Sequence, residues 1–284
     1  MGRRLLSHVL ISLAVFVLTA TLFIWTIDGR VVNADSLNGE LRKAGAMQEI
    51  ATLLPEIAGG DNEDSTPEKQ AEQKETIRSA VTVEYVDQKI TATTRSLITF
   101  IREGEPQPVI DLSDFPERLR ATGAEVDGDF NEEFAEPIQL NEEGKLDNIS
   151  NLYKVFSMMK YVGLLLFASL MLAEWFVAER GKKLKRISRV FLYAGLWYAL
   201  YWGVLIVFPK IFGEKLRSAV DAEKFDPSEL IDSVVRAVQG LFAGYFLSFA
   251  IGCFFITTVL YLIRHFKHGD VVPTAPAPVK TKKR

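Results

Sequence analysis

The chain has 284 residues, 48% of them hydrophobic, and 33 Lys or Arg against 36 Asp or Glu give a formal net charge of −3. So balanced a total hides an acidic stretch, residues 28–153, which should repel nucleic acid. The only cysteine, Cys253, excludes an intramolecular disulfide, and His8, His265 and His268, the only histidines, weigh against a zinc site or a histidine base.

Four apolar stretches meet the requirement of about 20 residues for a helix that crosses a hydrocarbon core about 30 Å thick. Residues 1–8 form a short basic N-terminus with Arg3 and Arg4, and residues 9–27 form the first span, which has no charge. It reads as an uncleaved signal anchor. The alternative is a secretory signal peptide, because Val32-Asn33-Ala34 before Asp35 has the spacing of a cleavage site.

Residues 28–153 form the next unit, an acidic domain with 27 Asp or Glu against 12 Lys or Arg, a net charge of −15. Ser36 is placed to cap a helix whose apolar residues Leu37, Leu41, Ala44, Met47, Ile50 and Leu54 recur at three- and four-residue steps, ended by Pro55 and Gly59-Gly60. Residues 61–73 are polar without a period, a linker or the exposed first turns of the next helix. Ile77, Val81, Val86, Ile90, Leu97 and Ile101 continue the helical period, with Thr82 dividing it into two helices. Glu105-Pro106-Gln107-Pro108 stops that pattern, Val109-Ile110-Asp111-Leu112 reads as a short strand, and Ser113 or Asp114 suits a cap before Phe115. Residues 123–148 read as a docked acidic loop, or as partly ordered strand. Their doublets Glu132-Glu133 and Glu142-Glu143 read as solvated charges, since adjacent residues do not share a helix face.

The second span, residues 154–178, contains Lys160 and Glu174 toward its opposite ends, where long side chains reach the interface. Glu174 reads as an interfacial ion pair with Lys182 or Arg180 and not as a proton relay. Residues 179–189 are a basic loop, residues 190–208 the third span and residues 209–236 a helical hairpin outside the membrane. The stretch from Pro227 runs without a breaker into the fourth span, residues 237–263, so one helix of about 40 residues, near 60 Å long, projects above the bilayer. Asp226-Pro227-Ser228-Glu229 supplies its start. Residues 264–284 form a basic disordered tail, in which His265 and His268 read as interfacial anchors. Arg3, Arg4, the 179–189 loop and this tail carry the positive charge of the short flanks, which places both termini on the cytoplasmic side. They also offer contacts to anionic lipid.

Small residues on one face let helices approach closely in lipid. Gly240, Gly244, Ser248 and Gly252 on the fourth span and Gly195, Ala199 and Gly203 on the third form two such ribbons, which are expected to pack on each other. The third span also carries Tyr193, Trp197, Tyr198, Tyr201 and Trp202. Trp197, Tyr198, Tyr201 and Trp202 are candidates for an intramembrane pocket for a lipid, quinone or other apolar ligand. The plainer reading is interhelical packing, with their polar tips bonded to backbone or to Ser157, Ser169 or Ser248.

Leu41-Arg42-Lys43-Ala44-Gly45, Thr82-Val83-Glu84-Tyr85-Val86, Ser96-Leu97, Gly104-Glu105 and Ile110-Asp111-Leu112-Ser113 resemble stretches of uncharacterised bacterial multi-span membrane proteins. The resemblance implies a bacterial membrane origin and no site. The fold expected is mostly all-α, a four-transmembrane-helix bundle with a helix-rich acidic extracytoplasmic domain, in the bacterial cytoplasmic membrane. The function expected is non-catalytic binding, sensing or scaffolding, with an envelope protein or small ligand as partner and no cofactor, metal or nucleic acid. The alternative is a subunit of a transporter or channel, against which stand the absence of broken helices and of an inverted repeat.

Overall fold

A computed structural model describes residues 2–58, 67–123, 135–141, 144–179, 181–219 and 228–268. The two acidic doublets, the Asp226-Pro227 helix start and the tail beyond residue 268 lie outside the described residues. In chain order the elements are α1 (Gly2–Thr26) with a π-helical turn (Ile27–Val31), α2 (Ala34–Ala44), α3 (Ala46–Ala58), α4 (Pro67–Ala80), α5 (Val83–Glu103), β1 (Val109–Ile110), α6 (Phe115–Ala121), β2 (Ile138–Gln139), α7 (Lys145–Val177), α8 (Lys183–Ala219) and α9 (Ser228–His268). The chain is mostly helical. Four helices, α1 with its π-turn, α7, α8 and α9, are long and apolar enough to cross a membrane.

These four do not share burial equally. Half of the apolar window of α1 is buried by protein, against 6% for α7, 22% for α8 and 17% for α9, so α1 is the hub, with α7 and α8 packed along it and α9 packed chiefly on α8. Its sequence explains why. Ser7, Ile11, Ala14, Val15, Leu18 and Thr21 follow one another at short intervals and are all buried, and most of them are small enough for a neighbouring backbone to come close. Ile11, Ala14, Val15 and Val17 form a cluster with Leu170 of α7 and Val190 of α8, and Leu18 forms another with Ala194 of α8 and Cys253 of α9.

Among the described glycines, the closest approach of a neighbour is at Gly163 of α7. A Cβ built there would lie 2.1 Å from Thr21 Oγ1, a distance only glycine tolerates. Thr21 Oγ1 donates to the Val17 carbonyl at 2.7 Å, so its hydroxyl is satisfied inside α1 and does not compete for a partner in lipid.

The α8–α9 pair is intimate, but its seam corrects the expected ribbons. Gly195 meets α9, since a Cβ there would sit 3.1 Å from Cys253 Cβ and from the Phe254 ring. At Gly203, Gly244 and Gly252 a Cβ would meet nothing within 4 Å, and Ser248 is exposed, donating to the Gly244 carbonyl of its own helix. Ala199 is a partly buried margin of the seam. The contact instead runs along Val190, Ala194 and Tyr198 against Phe246, Ala250 and Cys253. Large rings fill the gap that two glycine faces would have closed, because aromatic packing supplies more dispersion area than bare backbone contact.

The segments between the first two candidate spans fold into a cap domain at one end of the bundle. Its core is Met47, Ala51, Val81 and Val86, flanked by Leu41, Ile50, Ile77, Ile90 and Phe115. Asn33, not Ser36, is the N-cap of α2, its side chain accepting from the Ser36 amide at 3.0 Å. The helix expected over 36–54 is two helices. Gly45 adopts a left-handed φ of 84° that ends α2, a conformation costly for any residue with a Cβ. Pro55 sits inside α3 and does not end it. Thr82 caps α5 by accepting from the Tyr85 amide, and β1 pairs antiparallel with β2.

The cap domain is joined to the long helices directly. α2 and α3 lie on α9, which runs unbroken over 41 residues, and α5 lies on α7. Gly240, expected at the α8 seam, instead seats α2: a Cβ there would be 2.2 Å from Glu40 Oε2. Arg236 of α9 donates to the Ala44 carbonyl at the end of α2, at 3.2 Å.

Gly163→Ala is expected to lower the melting temperature in detergent by several degrees, the cost of overpacking being about 1–3 kcal/mol, whereas Gly244→Ala leaves it nearly unchanged. Equal melting temperatures for the two variants would contradict the α1–α7 crossing. The same packing predicts that α1 stays attached, because Val190, Ala194, Tyr198 and Leu170 are covered by it. Intact-mass measurement of the membrane-extracted protein is expected to include residues 9–27, and a mass corresponding to a chain that starts at Asp35 would contradict this.

Candidate functional site

Charged groups gather at the two ends of α1 and leave the length between them uncharged. Beside the cap domain, Asp28 in the π-turn takes Lys160 Nζ of α7 at 2.5 Å and the Tyr153 hydroxyl, with Arg102 Nη2 of α5 at 3.9 Å. Arg102 also donates to the Asp28 and Val32 carbonyls, each at 2.9 Å, and so satisfies helix-end acceptors that have no intrahelical donor. The Lys160 and Asp28 side chains are only 13% and 16% exposed, so removing one partner costs more than it would in a surface pair.

At the other end, Glu174 of α7 is buried and its Oε1 accepts from Ser7 Oγ at 2.6 Å and Arg186 Nη1 at 3.3 Å. The expected partners are therefore corrected. Lys182 pairs with Glu179, Arg180 lies outside the described residues, and Arg186 reaches Glu174 from the first turn of α8. From Ser7 to Asp28 the helix rises about 30 Å, the thickness of a bilayer's hydrocarbon core.

Between the clasps lies a groove of about 450 Å³. Phe16, Thr19, Ala20 and Phe23 line it from α1, Tyr201, Val204 and Leu205 from α8, and Phe246 from α9. It exists because Thr19 and Ala20 are small and stand between two phenylalanines on one face of α1. A second hollow runs along His8, Val9, Ser12, Leu13 and Phe16, with no wall beyond α1 among the described residues.

Of the four aromatic residues that the sequence singles out, only Tyr201 lines the groove. Tyr198 lies behind it, wholly buried, with its hydroxyl donating to the Thr19 carbonyl at 2.7 Å and its ring 5.6 Å from Phe246 and 5.4 Å from Phe249. Trp202 packs at the edge of that cluster, and Trp197 is exposed, 5.8 Å from Tyr201 between ring centres. Ser169, offered as a partner for these rings, bonds the Leu165 carbonyl of its own helix. The α1 residues of the groove carry a readable signal, a large, small, small, large sequence at three- and four-residue spacing. The α8 and α9 residues opposite carry none.

In the cap domain, Glu49 of α3 has its carboxyl pushed above the usual range, first by burial and then by the charge and hydrogen bond of Glu229 on α9. Burial and then the nearby Asp114 carboxylate also push the Tyr85 phenol up, while its ring stacks on Phe115 and carries Arg118 4.5 Å from its centre. Among the described residues no group of three or more His, Cys, Asp or Glu is placed to hold a metal ion. Comparison with protein-family models, with curated proteins and with solved structures finds no match to the chain.

Asp28→Asn and Lys160→Met are each expected to destabilise the protein by up to about 3–5 kcal/mol, because each leaves a charge buried without its partner, and the double variant by clearly less than the sum. Additive effects in a double-mutant cycle would show the pair to be uncoupled. For Glu49, the folded state holds the proton more tightly than the unfolded one. Its contribution is fully present below the ordinary glutamate range of about pH 4 and is lost as pH rises through the raised value. Hydrogen exchange in α3 is thus expected to quicken from about pH 4 to pH 7 beyond the intrinsic base-catalysed rise, and Glu49→Gln to remove that excess. A Gln variant with the same excess would contradict the Glu49–Glu229 contact.

Proposed function

We propose that the chain is a non-catalytic, multi-pass protein of the bacterial cytoplasmic membrane that binds an envelope protein or small ligand through an acidic extracytoplasmic domain and serves as a sensor or scaffold. The orientation rests on charge. Arg3 and Arg4, the 179–189 loop and the basic tail flank one side and place both termini in the cytoplasm, while residues 28–153, with their net charge of −15, lie outside with the 209–236 hairpin.

The observation that carries the reading is the continuity of α9. One helix, Ser228–His268, supports α2 and α3 along its first turns and then makes the seam with α8 and with Leu18 and Phe23 of α1. An event that shifts α2 or α3 acts on a rod whose other end lies beyond the bundle. The Arg102 and Arg236 bonds to the ends of α1 and α2 make the joint stiff in place of flexible.

Cross-linking in native membranes with mass spectrometry is expected to recover one stoichiometric partner joined through cap-domain lysines such as Lys43, Lys74 or Lys89. Recovery of self-contacts alone, together with ion flux when the purified protein is placed in liposomes, would overturn this reading in favour of a transporter or channel subunit.

A further inference from the structure

We propose that the groove between α1, α8 and α9 holds one phosphate-headed lipid from the leaflet adjoining the cap domain, with a chain lying over Thr19 and Ala20 and its phosphate on Arg30. The inference rests on the reading of the four helices as membrane spans, and not on any partner of the cap domain.

The groove has the volume of a ligand site, which is roughly 300–1,000 Å³, and lies at chain depth between the two clasps. Its walls are apolar and most of its polar atoms are already used. Thr19 Oγ1 donates to the Val15 and Phe16 carbonyls at 2.6 and 3.1 Å, and Tyr198 is bonded to the Thr19 carbonyl. Tyr201 lines the groove and its hydroxyl has no hydrogen bond among the described residues, which leaves one donor for a lipid ester.

Arg30 supplies the head end. It follows Phe23 by seven residues, a rise of about 10 Å toward the cap domain, which puts its Cα where the hydrocarbon gives way to headgroups. Its guanidinium lies 4.5 Å from the centre of the Tyr245 ring, beside Phe246 in sequence, and its Nε is buried without a hydrogen-bond partner. The nearest acid in sequence, Asp28, is occupied by Lys160, Tyr153 and Arg102, and no carboxylate pairs with Arg30 among the described residues. A cation held over a ring at the edge of hydrocarbon, without an anion, is costly. A phosphate supplies the charge and the acceptors that a guanidinium fork fits. A quinone offers no anion to Arg30, and a free phosphate leaves the groove unused.

The test is native mass spectrometry of delipidated full-length protein in detergent, titrated with phosphatidylglycerol, with diacylglycerol and inorganic phosphate as separate probes. One phosphatidylglycerol per chain is expected, held at least about tenfold more tightly than diacylglycerol, with inorganic phosphate alone not retained. Ala20→Phe, which fills the groove, and Arg30→Gln, which removes the charge, are each expected to weaken retention about tenfold, and Leu247→Phe on an exposed face of α9 to leave it unchanged. If Ala20→Phe fails to fold, Val204→Phe blocks the groove from α8. Equal retention by wild type and the groove and Arg30 variants would overturn the proposal, as would equal binding of diacylglycerol or tight binding of inorganic phosphate alone. Loss of this site leaves the cross-linking result unaffected, so the two readings fail separately.

Discussion

The structure depends on how deeply α1 is buried. An apolar helix in lipid gains nothing from leaving lipid for protein unless the fit is closer than lipid chains can make it. Gly163 gives α1 that fit against α7, Ala14, Leu18 and the Thr19 carbonyl give it against α8, and Leu18 also meets Cys253 of α9. The other helices then expose most of their apolar surface, such as Leu165 and Phe176 on α7 or Phe255 on α9, as a lipid-facing surface would.

Charge is kept to the two ends of this hub, where water or headgroups limit the cost of desolvation. Ser7, Glu174 and Arg186 close one end, and Asp28, Tyr153, Lys160 and Arg102 close the other. The second closure does more, because Arg102 belongs to the cap domain. By donating to the Asp28 and Val32 carbonyls it ties the end of α1 to the domain, and the π-turn is where the chain changes from candidate spanning helix to cap. Among the described residues Arg30 of the same turn has no ion-pair partner, and the lipid site proposed above begins there.

Much of this was legible in the residues. Period and charge mark four candidate spans, the uninterrupted run from Pro227 predicts the single long helix, and Thr82 and Val109-Ile110 mark a cap and a strand that the structure contains. What was not legible depends on distance along the chain. Gly163 is a lone glycine without a ribbon, and its importance comes from Thr21, 142 positions earlier. The glycine ribbon on α9 is a real pattern, yet Gly244 and Gly252 have open space before them, because small residues permit contact and do not compel it. Ser36 and Asn33 are both good caps by type, and only the backbone path out of the π-turn decides for Asn33. The candidate groove is half readable, since its α1 face is patterned while Tyr201, Val204, Leu205 and Phe246 join it only through the fold.

The most direct measurement of the hub is reassembly of a chain split between Asn33 and Ala34 and expressed as two fragments. The account predicts that the α1 fragment co-purifies with the remainder at equal stoichiometry and that residues 34–284 alone lose their cooperative melting transition. A remainder that melts at the temperature of the intact protein without the α1 fragment would contradict the claim that α1 organises the bundle.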